Sequence, residues 1–213
     1  MKPDRFKRIS VSAFALLATI CAPAAAKAPV KVLMFGTSLT QGLGLPPGTE
    51  LPAVLQAKLA RAGIKANVIN AGVSGDTSAD GLSRINWSLA DKPDAAVVEL
   101  GSNDALRGLD PAITEKNIAA VLTRLRLAHI PVLVLGMKAP RNLGPEYAAR
   151  FDAIYPRLAA RYHDMLYQFA LEGVALVPKL NQADGMHPNP AGVQVIAARL
   201  LPYVRKLIAE THR

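Results

Sequence analysis

Cysteine is almost absent: Cys21 is the only one in 213 residues. One cysteine excludes a disulfide framework within the chain, and because Cys21 falls in a leader expected to be cleaved, no thiol chemistry is expected of the rest. Aromatic residues make up 5% of the chain, with a single tryptophan, Trp87. So few rings argue against an aromatic-lined carbohydrate cleft. Acidic residues are outnumbered 16 to 25, for a net charge of +9. The basic side chains, among them Lys58, Arg61, Arg124, Arg157 and Lys206, are scattered over helical segments and form no run interleaved with aromatics. That pattern reads as solvated helix faces rather than a nucleic-acid site, and weak contact with an anionic membrane surface stands beside it as an alternative. There is no Gly-rich phosphate loop ending in Lys-Ser/Thr and no dinucleotide fingerprint, so no nucleotide cofactor is expected.

What is present starts with a leader. Lys2, Arg5, Lys7 and Arg8 precede an apolar stretch over residues 11–22, and Ala24-Ala25-Ala26 follows. This order reads as a signal peptide over residues 1–26, cleaved after Ala26. The apolar stretch is short and Ala-rich for a membrane span. A periplasmic or secreted protein of residues 27–213 is expected, one domain long enough for a real core. The leader accounts for three of the nine net positive charges, leaving about +6.

Beyond it, short apolar runs alternate with amphipathic segments. Strands are expected at 31–35, 66–69, 95–100, 132–135 and 165–169. A helix capped by Thr49 shows Leu51, Val54, Leu55 and Leu59 on one face and stops at Gly63. Others are expected at 78–89, from Asp110-Pro111 onward, at 145–162 with a kink or break at Pro156, and from Asn189-Pro190 to the end. This alternation implies a three-layer α/β/α sandwich around a central, mainly parallel five-stranded sheet.

In such a sheet, ligands bind beyond the carboxyl ends of the strands. Ser38 follows the first strand at once, in Phe35-Gly36-Thr37-Ser38. Asn70-Ala71-Gly72-Val73-Ser74-Gly75-Asp76 follows the second and Gly101-Ser102-Asn103-Asp104 the third. Topology alone puts these turns on one edge. Near the other end of the chain, Asp184 and His187 stand three residues apart. The set supplies a nucleophile (Ser38), a base (His187), an orienting acid (Asp184) and oxyanion donors at Gly75, Asn103 and the N–H of Ser38. Taken singly, Gly75 and Asn103 also read as ordinary turn residues, and Asp184 and His187 as a loop carboxylate and a helix-start imidazole. Ser74 and Ser102 are rival nucleophiles, but Gly72-Val73-Ser74-Gly75 has its second glycine one place too early for Gly-x-Ser-x-Gly. No second histidine lies close to His187, so no metal site is expected.

Together these four blocks resemble the SGNH hydrolases, also called the GDSL family, over nearly all of the chain after the leader. The resemblance assigns Ser38 as nucleophile, Gly75 and Asn103 to the oxyanion hole, and Asp184 and His187 as its Asp-x-x-His. The stretches 70–78, 100–108 and 184–189 look most like the bacterial periplasmic arylesterase and multifunctional thioesterase–lysophospholipase branch. That implies hydrolysis of carboxylic esters and thioesters of small to medium acyl groups, small-molecule substrates, without metal or cofactor. A monomer is expected. One departure is Thr37, where the family usually has Asp. It implies lower turnover than a Thr37→Asp variant. Leu43, Leu45, Leu106, Leu109, Pro140 and Met186 are apolar residues near the active edge and are candidates for an acyl groove, with ordinary loop packing as the alternative. Arg107 is a candidate for an anionic head group. Two other readings stand beside this one: a carbohydrate O-acetyl esterase of the same superfamily, and a non-catalytic binding scaffold.

Overall fold

The structure, a computed structural model, describes Met1 and residues 28–211. Apart from Met1, the expected leader lies outside the described residues. Five strands form one sheet: β1 (Val30–Gly36), β2 (Ala66–Gly72), β3 (Ala95–Val98), β4 (Val132–Leu135) and β5 (Met165–Tyr167). Every pairing is parallel and the spatial order is β2-β1-β3-β4-β5. The chain moves outward from β1 to β2, then crosses back over β1 to β3. The order therefore reverses between β1 and β3, which opens a crevice at their carboxyl ends. Register keeps the three turns level, since Gly36 pairs with Gly72 and Phe35 with Val98.

The connections are helical: α1 (Ser38–Gln41), α2 (Leu51–Arg61), α3 (Ser78–Ser88), α4 (Ser102–Leu106), α5 (Pro111–Leu127), α6 (Pro145–Asp152), α7 (Ile154–Tyr162) and α8 (Pro190–Glu210). Helix α2 packs on α8, while α3 packs on α5 and α5 on α7. With both sheet faces covered, β3 and β4 are buried at every residue. Their unbroken apolar sequences follow from that burial.

Several boundaries differ from the sequence reading. Glu50, not Thr49, is the residue before α2, and the Thr49 hydroxyl donates to Pro46 O instead. The break in the 145–162 helix falls at Ala153, not at Pro156. Pro156 is the third residue of α7, where its missing N–H would have no intrahelical partner anyway. The disruption therefore sits one turn upstream. Strand β3 stops at Val98 because Glu99 turns inward to bond the Ser38 turn. Strand β5 stops at Tyr167, where Gly136 N–H donates to Tyr167 O and Ala170 N–H to Gly136 O, each at 2.8 Å.

Strand β2 is an edge, and Gln56 of α2 covers part of it. Its amide donates to Ala66 O and accepts from Val68 N–H, both at 2.8 Å. Two ladder groups that would otherwise face solvent are satisfied from within the chain.

Candidate active site

Ser38 is the first residue of α1, so its side chain leaves the sheet where β1 ends. Gly72 in β2 permits this tight exit, because a Cβ there would collide with the backbone of Gln41. The Ser38 hydroxyl lies 2.9 Å from His187 Nε2. His187 Nδ1 lies 2.6 Å from Asp184 Oδ2, which assigns the ring proton to Nδ1 and leaves Nε2 free to accept from Ser38. Asp184 Oδ1 also accepts from the N–H groups of Met186 (2.9 Å) and His187 (3.0 Å). The backbone and side-chain bonds from His187, with that from Met186, hold the Asp184 carboxyl at a pKa of about 2. It is thus an ionised acceptor at any physiological pH.

The histidine loop is tied to the serine loop. Gln182 N–H donates to His187 O at 2.7 Å, while the Gln182 side chain donates to Leu43 O (2.8 Å) and Pro188 O (3.0 Å). Asn189 then caps α8 by accepting from Gly192 N–H. One glutamine therefore fixes the distance between two segments that are far apart in sequence.

Gly75 adopts φ +85, a left-handed conformation that costs glycine little. Its carbonyl accepts from Arg107 and the next carbonyl, Asp76 O, accepts from Asn103 Nδ2, each at 2.8 Å. Arg84 anchors the same turn from behind. Its guanidinium donates to Asp76 Oδ2 (2.6 Å), Ala71 O (2.9 Å) and Gly36 O (2.8 Å) and lies 4.2 Å from the Phe35 ring centroid. A single side chain thus joins the ends of β1 and β2 to the Gly75 turn. The planar fork of arginine suits that task.

Beneath Ser38, Glu99 is 1% exposed. Its carboxyl accepts from Thr37 N–H (2.8 Å), Thr37 Oγ1 (3.0 Å) and Thr40 Oγ1 (2.9 Å). Burial raises its pKa, against the opposing pull of the Thr37 and Thr40 bonds. Thr37 Oγ1 also lies 3.3 Å from Ser102 Oγ, linking the serine turn to the Asn103 turn.

A cavity of about 400 Å³ opens on this edge, and Ser38, Gly75, Asn103 and His187 line it. Leu43, Leu106, Pro140 and Met186 line it as well. Arg107, Leu45 and Leu109 do not, and Arg107 is engaged with the Gly75 carbonyl. Met137, Lys138, Phe169, Leu171 and Leu176 complete much of the wall and were missed from sequence. Their signal was topological: Met137 and Lys138 follow β4, and Phe169 follows β5, on the edge that carries the other turns. The rest of the machinery missed from sequence, Glu99, Arg84 and Gln182, had no motif at all.

An imidazole accepting from a serine hydroxyl, backed by a carboxylate, can draw off the proton as the oxygen attacks a carbonyl carbon. Residues 34–195 match the GDSL-like lipase/acylhydrolase family. Esterase TesA of Pseudomonas aeruginosa is 40% identical over 178 residues, 83% of this chain and 89% of that protein. Thioesterase 1/protease 1/lysophospholipase L1 of Escherichia coli K12 is 36% identical, over 83% of this chain and 84% of that one. Among solved structures, AlinE4, an SGNH-hydrolase family esterase, shares 46% identity at a TM-score of 0.73, over 85% of this chain and 98% of its own.

Proposed function

Because the chain belongs to the GDSL-like lipase/acylhydrolase family and is an ester hydrolase within it, we propose that Ser38, His187 and Asp184 carry out hydrolysis of carboxylic esters and thioesters through an acyl-enzyme. The substrates we propose are aryl esters, short to medium acyl esters, acyl-CoA and lysophospholipid. Ser38 Oγ attacks the acyl carbon as His187 Nε2 takes its proton. The developing oxyanion is met by the N–H groups of Ser38 and Gly75 and by the Asn103 amide. Collapse expels the alcohol or thiol, which takes the proton from His187. Water then attacks the acyl carbon, again losing a proton to His187, and Ser38 leaves with that proton as the free acid forms.

The 2.9 Å approach of Ser38 Oγ to His187 Nε2, with Asp184 behind, is the observation that carries this reading. The apolar cavity wall favours an acyl chain over a sugar acetate. We further propose that residues 1–26 export the enzyme and that residues 27–213 act as one periplasmic or secreted domain.

The test is a set of initial rates on p-nitrophenyl acetate, butyrate and octanoate and on an acyl-CoA, beside Ser38→Ala. The variant is expected to lose ~10³-fold or more. Equal rates in both proteins would remove Ser38 as nucleophile.

A further inference from the structure

Lys138 is the only Lys, Arg, Asp or Glu side chain in the cavity wall. Its neighbours Met137 and Ala139 are buried, and Lys138 alone of the three is exposed. Its Nζ lies 4.8 Å from the centroid of the Phe169 ring, which lines the same cavity. The two residues face each other because the backbone sets them so. Gly136 bonds both Tyr167 O and Ala170 N–H across the ends of β4 and β5, while Ala139 N–H donates to Asp152 Oδ1 at 2.9 Å.

Among the described residues Lys138 makes no ion pair. The Asp152 carboxylate next to it in the fold is already taken, by Ala139 N–H and by Arg141 at 2.7 Å. A ring face restrains an ammonium without satisfying its N–H donors. An unpaired cation held against the wall of an apolar cavity is suited to an anion brought by the substrate. Arg107, the cation expected for this task from sequence, is turned to the Gly75 carbonyl instead.

We propose that Lys138 is a specificity-determining residue that selects esters bearing a carboxylate or phosphate, an inference that rests on the ester-hydrolase reading above. The anion sits on whichever part of the substrate runs toward the ends of β4 and β5. Two substrate pairs distinguish the sources. p-Nitrophenyl hemiglutarate against p-nitrophenyl butyrate places the charge on the acyl side. Butyryl glycerol phosphate against monobutyrin places it on the alcohol side.

The readout is the anionic-to-neutral ratio of kcat/KM within each pair. Lys138→Met is expected to lower it about tenfold in one pair, Lys138→Arg to retain it, and Lys138→Glu to lower it about a hundredfold. In the wild type the ratio should also fall as salt is raised. Ratios unchanged by Lys138→Met and Lys138→Glu in both pairs would overturn the proposal. If the wild type turned over no ester, the hydrolase reading would fail first. Binding of octyl phosphate against octanol would then decide the role of Lys138 without turnover, with equal loss of both ligands in Lys138→Met counting against it.

Discussion

Glu99 shows how a residue that takes no part in bond making can shape the site. Three donors from Thr37 and Thr40 converge on its buried carboxyl, one turn beneath Ser38. A folded pKa raised above the unfolded value means that Glu99 binds its proton more tightly when folded. Its contribution is complete below the unfolded pKa and declines as pH rises toward the folded one. Glu99→Gln should therefore be less stable than wild type in urea, because its NH2 would oppose one of those donors. The gap should narrow as pH climbs above about 4.5, the unreacted value for the group. A gap that widens instead would rule out this account. The same geometry limits the expected gain from Thr37→Asp. An ionised Asp cannot donate to Glu99, so the two carboxyls would share one proton. Turnover above wild type is expected only at pH values where that shared proton is kept, which a kcat–pH profile of both proteins reads directly. Ser38, Asp184 and His187 were legible because a Ser directly after an apolar strand and an Asp-x-x-His are patterns in one dimension. Glu99 was not, because a carboxylate at the end of an apolar strand looks the same in sequence whether it bonds a turn or meets water.

Most elements could be read for an equally plain reason. Both faces of β3 and β4 are covered, so Ala95–Val98 and Val132–Leu135 carry no polar residue, and their neighbours alternate with amphipathic helices. The parallel five-stranded sheet follows from that alternation. Boundaries were harder to read where one side chain outcompetes the ladder, as Glu99 does at the end of β3. Gln56 is another such side chain. Gln56→Ala should cost about 1 kcal/mol per lost bond and leave Ala66 O and Val68 N–H open along the edge. Light scattering on heating should then rise earlier than for wild type, and Gln56→Glu, which keeps only the acceptor, should fall between the two. Aggregation unchanged in Gln56→Ala would mean that the edge needs no cover.

For the whole molecule, the sole tryptophan is a poor witness to folding. Trp87 is 83% exposed on α3, so its emission is already close to that of an indole in water. Urea unfolding is expected to move that emission little while the far-ultraviolet circular dichroism collapses in one transition, as befits one continuous core. A large blue-to-red shift would place Trp87 in an environment other than the one seen here.

Ser38 and His187 are 149 residues apart in the chain. A ribosome makes Ser38 long before His187. Until the loop that carries His187 has been synthesised and docked through Gln182, the Ser38 hydroxyl lacks its imidazole partner. On the mechanism proposed above, a chain still short of that loop is chemically silent toward esters. Reactivity becomes a property of the docked fold, switched on when two distant segments meet.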